Sequence, residues 1–144
     1  NAFGAINRSL KLPATVAVSV RQVKKKDGAI SVNACTMGKF ENAALCVALV
    51  EHGIQRRITG GENKGRTLSM DNVVLEFKCV ELAGPVGHEF TFDLKQVPGG
   101  KRRNLGAVAF VQRTDNMDML GAQSTRIHRQ PGEKPDKEPS REFE

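Results

Sequence analysis

The sequence contains no tryptophan and no tyrosine, and its aromatic content is seven phenylalanines among 144 residues. Stacking platforms for nucleic-acid bases are therefore scarce, and a core must come mainly from Val, Leu, Ala and Ile. No apolar run approaches the ~18 residues of a membrane-spanning helix. Cysteine occurs three times, at Cys35, Cys46 and Cys79, and none forms a C-x-x-C pair. One disulfide with one free thiol, or three buried reduced thiols, would both satisfy that count. The three histidines, His52, His88 and His128, have no H-x-H or H-E-x-x-H spacing, so no metal is assigned. No G-x-S-x-G elbow frames a nucleophile. The carboxylates fall in outward or loop positions, with no acid isolated in an apolar run. No catalytic residue, cofactor or small-molecule substrate is assigned, and the chain is expected not to be an enzyme. It begins at Asn1 without a charged and apolar leader, which points to processing or truncation upstream.

What the chain does have is positive charge, a formal +6 at pH 7. Residues 126–144 carry five acidic and five basic side chains, so the whole excess lies in residues 1–125. It concentrates at Lys24-Lys25-Lys26, Arg56-Arg57, Lys64 with Arg66, and Lys101-Arg102-Arg103. These clusters suit an anionic partner, phosphate backbone or lipid. Without stacking aromatics, however, nucleic acid is not the expected partner. Lys64, Arg66, Lys101, Arg102 and Arg103 are the candidate anion or partner contacts.

Period-two alternation dominates the middle of the chain. Val16, Val18 and Val20 alternate with smaller or polar residues, Asp27-Gly28 signals a hairpin, and Ile30, Val32 and Ala34 line a returning strand. Residues 43–50 are nearly all apolar, as in a strand covered on both faces. A shorter polar strand follows at 54–59. In residues 72–82, Val73, Leu75, Phe77 and Cys79 alternate with Val74, Glu76 and Lys78; Val73, Phe77 and Val80 would equally line one helical face, but β-branched content and the strands around it favour a strand. Phe90, Phe92 and Leu94 point inward from 88–97, and strands at 105–112 and 119–127 complete the set. Seven to eight short strands separated by Gly, Pro, Asn and Asp predict an antiparallel β-sandwich, with a barrel as the alternative. The Phe residues are expected on core faces. Pro13 predicts an extended lead-in over 1–13, the sandwich occupies 14–127, and a polar tail spans 128–144.

One central stretch has a distinctive signature, Gly60-Gly61-Glu62-Asn63-Lys64-Gly65-Arg66-Thr67-Leu68. It nearly matches the phosphate-binding pattern G-x-x-x-x-G-K-S/T, with Arg66 where Lys belongs. That pattern needs a helix after it, and here the following residues read as strand. The expectation is an inter-strand loop shaped by Gly61, Glu62, Asn63 and Gly65, with Glu62 pairing to Lys64 and Arg66. The tail, with Pro131, Pro135, Pro139 and Phe143, has too little apolar content to order alone and is expected to dock on a partner.

The strings Gly61–Leu68, Asn72-Val73-Val74, Ala107-Val108-Ala109-Phe110-Val111-Gln112 and Leu120-Gly121-Ala122, with the strand Cys46-Val47-Ala48-Leu49-Val50, resemble a known set. It is the carboxyl-terminal half of an exported thioredoxin-like family of bacteria, plants and algae, domain of unknown function 1223. The resemblance covers about residues 14–127. It implies a β-sandwich appended to a thioredoxin-fold half with a Cys-x-x-Cys pair, and that half is missing here. Leu75 stands where the family commonly has Arg. The resulting expectation is a non-catalytic structural or interaction subunit of a larger assembly. The resemblance implies an organellar setting, plastid lumen or mitochondrion, or export, ahead of the cytosol. Other protein subunits are the expected partners, and a peripheral membrane contact is compatible. The alternatives are an accessory domain of a thiol-redox protein, and a basic RNA- or ribosome-associated subunit.

Overall fold

The computed structural model describes residues 2–26, 28–97 and 104–128. One helix, α1 (Ala2–Leu10), precedes nine strands: β1 (Val16–Lys26), β2 (Ala29–Gly38), β3 (Ala43–Glu51), β4 (Ile54–Arg57), β5 (Thr67–Met70), β6 (Val73–Leu82), β7 (Gly87–Asp93), β8 (Leu105–Arg113) and β9 (Met119–Arg126). An antiparallel three-stranded sheet, β1-β2-β7, packs on an antiparallel four-stranded sheet, β6-β3-β8-β9, and β4 and β5 form a separate ribbon. This is the expected β-sandwich, with one strand more than the alternation had suggested. The additional strand is β5, inside the glycine-rich stretch. It was hidden because its four residues are too few to show a period.

The lead-in is not extended but helical over Ala2–Leu10. Pro13 disfavours helical geometry at Leu12 and places no constraint on residues further upstream. The side chain of Ile6 on this helix is 56% exposed.

The interior is built from the strands whose patterns were clearest. Val16 and Val20 of β1, Ile30, Val32 and Ala34 of β2, and Phe90 and Phe92 of β7 face Leu45, Val47 and Leu49 of β3 and Leu105, Ala107, Ala109 and Val111 of β8. Fully burying each larger side chain contributes about 1.5–3 kcal/mol. These two inward faces therefore supply most of the drive that folds the domain. The β1–β2 hairpin turns through Gly28 at φ +84°, a conformation glycine reaches without steric cost.

The two flanks of the sandwich are closed differently. On one flank β1 runs along β9: Thr15 N–H donates to Leu120 O at 3.0 Å, Val20 N–H to Gln123 Oε1 at 3.0 Å, and His128 N–H to Gln22 Oε1 at 2.9 Å. These bonds satisfy edge groups that would otherwise invite strand addition. Gly121 makes the approach possible, because a Cβ there would stand 2.0 Å from Val16 O. On the opposite flank, among the described residues, no strand bridges β6 to β7. Instead Lys78 reaches across, donating to Thr91 O at 2.5 Å with its ammonium 5.2 Å from the Phe92 ring centroid.

The register of β3 with β6 shifts between Leu49 and Val50, with Leu49 opposite Glu76 and Val50 opposite Val74. This bulge overturns the simple alternation expected for 72–82. Leu75 packs against the core, whereas Phe77 and Cys79 point outward, with Phe77 53% exposed. One extra residue reverses which face the side chains beyond it occupy.

Replacing Gly121 with Ala tests the flank closure. The contact is with backbone, which cannot rotate away, so the β1–β9 junction must open. Gly121→Ala is expected to lower the unfolding free energy by about 2–3 kcal/mol, seen as a lower urea midpoint at unchanged slope. A variant with an unaltered midpoint would show that the junction does not constrain the fold.

Candidate functional site

The two sheets differ on their outer faces. On the β1-β2-β7 sheet most outward positions are polar, Ser19, Arg21, Ser31, Asn33, Glu89 and Thr91, with Ala17, Cys35 and an exposed Met37 toward one end, and Ser31 and Thr91 hydrogen-bond across strands at 3.0 Å. On the β6-β3-β8-β9 sheet, the outward row of β3 is Ala44, Cys46, Ala48 and Val50. Beside it on β6 stand Glu81, Cys79, Phe77 and Val74, and on β8 Gln112, Phe110, Val108 and Gly106. On β9 the outward row is Arg126, Ser124, Ala122 and Met119, so Ser124 sets one hydroxyl beside Val108, and the remaining polar and charged groups lie at the ends of the face.

The centre of the face is stepped. The small residues Cys46 and Ala48 are 3% and 6% exposed although they point away from the core. Phe77 and Phe110 flank them from opposite sides, and their rings stack at 5.9 Å between centroids and 18° between planes. The aromatic pair meets over β3 and covers the small residues beneath. Val74 at 57% and Met119 at 56% extend the apolar area toward both edges of the sheet. Single exposed apolar residues are ordinary, but a contiguous set with a polar rim is how interaction surfaces are built.

Cys46 and Cys79 are directly opposite in register and joined by a disulfide. The cysteine count had left two readings open, and the structure realises one disulfide with Cys35 free. Cys35 lies on the other sheet, its thiol donating to Asn33 Oδ1 at 3.0 Å. The two halves of the disulfide are unlike: Cys46 is buried under the aromatic pair, whereas Cys79 on the edge strand is exposed.

The glycine-rich stretch does not converge on this face. It forms the loop joining β4 to β5, closed by Gly65 N–H to Ile58 O and Ile58 N–H to Arg66 O, both at 2.8 Å. Gly61 and Gly65 have φ of +74° and +86°, so both sit where a side chain would be strained. Two turns follow, Lys64 N–H to Gly61 O and Arg66 N–H to Asn63 O, each at 3.1 Å. Among the described residues no ion pair joins Glu62 to Lys64 or Arg66. The expected pairing is thus replaced by backbone hydrogen bonds, which hold the loop without help from exposed side chains. Arg56 and Arg57 are exposed on the same ribbon, so it carries four cations. Lys101, Arg102, Arg103, Pro131, Pro135, Pro139 and Phe143 lie outside the described residues.

Two further expectations need correction. The carboxylates are not all in outward or loop positions: Glu51 ends β3 opposite Val73 and Leu105 and is 5% exposed. The phenylalanines are not all core residues, since Phe77 and Phe110 belong to the outer face. The all-apolar run of β3 was the available sequence signal for that face, because it requires cover on both sides. Among the described residues, no three His, Cys, Asp or Glu side chains are grouped closely enough to hold a metal ion. Far from the apolar face, in the β8–β9 turn, Arg113 hydrogen-bonds Asp115, which holds the exposed carboxyl below its ordinary range.

Fold and surface together define the class: an antiparallel β-sandwich with one mainly polar and one mainly apolar outer face. The chain belongs to the family described as a protein of unknown function (DUF1223), whose model matches residues 2–112. The match takes in α1, which lay outside the sequence resemblance, and ends within β8. Among solved structures, it is similar to a domain of the outer membrane lipoprotein Omp28 from Porphyromonas gingivalis. The two are 13% identical, with a TM-score of 0.53 over 79% of this chain and 96% of that one. At that identity the likeness shows the fold alone. No curated protein matches the chain.

Two outcomes follow from this geometry. The disulfide closes a separation of 33 residues, so Cys46→Ala with Cys79→Ala is expected to cost about 3 kcal/mol in denaturant unfolding, largely through a less constrained unfolded chain. Lys64→Ala with Arg66→Ala should change stability by less than about 0.5 kcal/mol, because both side chains are exposed and no ion pair among the described residues is lost. A loss above about 1 kcal/mol would mean that these cations do hold the loop.

Proposed function

We propose that this domain is a non-catalytic interaction module that binds another polypeptide through the outer face of its β6-β3-β8-β9 sheet. The observation that carries the reading is the Phe77–Phe110 stack at the centre of that face. A complete core already exists on the other side of the same sheet, so the domain does not need these rings exposed in order to fold. Large aromatics that fill a partner's pocket are the residues on which binding energy concentrates. The polar ends at Glu81, Gln112 and Arg126 provide the hydrated rim that such surfaces have. The larger assembly expected from the resemblance is one setting for such a module.

The test is site-specific photo-crosslinking in the native host, with the crosslinking residue placed at Phe77 or, as control, at Glu89 on the polar face. Adducts to another polypeptide are expected from position 77 and not from 89. Equal yields from both positions, or none from 77, would overturn the reading. Replacing the half-exposed Phe77 should cost the isolated chain only about 1 kcal/mol, so an absence of adducts from position 77 cannot be put down to unfolding.

A further inference from the structure

The position of the disulfide on the proposed docking face suggests a chemistry for its partner. Resting on that docking reading, we propose that Cys46–Cys79 is an exchange site for a protein dithiol, which attacks the exposed sulfur of Cys79 and leaves the chain with two thiols.

The direction of attack follows from the strand order. Thiol–disulfide exchange requires the incoming thiolate, the attacked sulfur and the leaving sulfur to lie nearly in line. Cys46 is on the inner strand β3 and Cys79 on the edge strand β6, with no strand of the sheet beyond it among the described residues. A thiolate reaching Cys79 from the side away from Cys46 therefore comes in over the open edge. Attack on Cys46 would have to come from the β8 side, where Phe110 stands directly opposite. Burial agrees with register, since Cys46 is 3% exposed and Cys79 is exposed. Chemistry and cover both select Cys79.

In the first step the partner's thiolate sulfur bonds to Cys79 Sγ, the Cys46–Cys79 bond breaks, and its electron pair leaves on Cys46 Sγ, which takes up a proton. In the second step the partner's other thiol, as thiolate, attacks its own sulfur in the mixed disulfide and releases Cys79 as a thiolate. The chain gains two electrons and two protons, and the dithiol is oxidised to a disulfide. Apolar burial makes the Cys46 thiolate a poor leaving group, which slows attack by small thiols. A protein held against Val74, Phe77 and Phe110 delivers its thiolate at high effective concentration and overcomes that barrier. The site is thereby reserved for a docked dithiol. Cys35, on the opposite sheet, cannot resolve the exchange.

The experiment uses the oxidised full chain carrying Cys35→Ser, with thioredoxin and dithiothreitol as the two dithiol probes at equal concentration. Formation of the two thiols is followed by alkylation and mass. Thioredoxin is expected to reduce the folded chain about a hundredfold faster than dithiothreitol, the gain that docking confers. A thioredoxin variant lacking its resolving cysteine should be trapped on the Cys79 peptide. Equal rates for the two probes, reduction only in denaturant, or trapping on Cys46 would each overturn the proposal. Phe77→Lys separates the two readings. Slower reduction by thioredoxin with an unchanged dithiothreitol rate supports both. Fast thioredoxin reduction that ignores Phe77→Lys leaves the exchange site standing and removes the docking face. Equal probe rates alongside position-77 adducts remove the exchange site and leave the docking face.

Discussion

The strand β3 is paired on both edges and packed on both faces, and the rest of the domain depends on that double cover. Its inward residues Leu45, Val47 and Leu49 meet β1, β2 and β7 across the interior. Its outward residues Cys46, Ala48 and Val50 are just as buried, although among the described residues no second sheet lies on them. A flat sheet face cannot hide its central row by itself. Here the row consists of small or branched side chains, and larger ones from β6 and β8 fold over it. The cost is an aromatic surface turned to solvent, and that surface is the domain's most distinctive chemical feature.

That arrangement is set by the bulge at Leu75 and Glu76. Without it, strict alternation along β6 would send Leu75, Phe77 and Cys79 to a single face. With one residue inserted, Leu75 joins the core, and Val74, Phe77 and Cys79 face outward together. A bulge therefore places the aromatic ring and the sulfur on the same side as Cys46 and Phe110. The disulfide and the aromatic stack share one origin in the backbone.

Much of the fold was legible in the sequence because its core strands are strongly periodic. Val16 to Val20, Ile30 to Ala34 and Phe90 to Leu94 each have one hydrophobic partner face, so alternation reports them directly. The missed features are those that do not alternate. Ala2–Leu10 was obscured by a proline whose reach was overestimated, and Thr67–Met70 spans only two periods. The bulge in β6 carries no compositional mark, so Phe77 and Cys79 were placed with Leu75. The glycine-rich loop was recognised, but its hydrogen bonds are backbone ones and so not readable from Glu62, Lys64 and Arg66. Cys46 and Cys79 become partners only through strand register, which three scattered cysteines do not reveal.

The unequal burial of the two cysteines links the aromatic stack to sulfur chemistry. Cys46 is sheltered by Phe77 from one side and Phe110 from the other, and both rings are partly exposed, so the cover depends on a single stacked pair. Such a pair contributes only about 0.5–1.5 kcal/mol beyond the area it buries. A partner that takes hold of either ring can therefore separate the two at modest cost. The same contact that docks a protein on this face would then loosen the shelter of the buried sulfur. On the proposed reading, docking and exchange are coupled through the stacking of these two side chains.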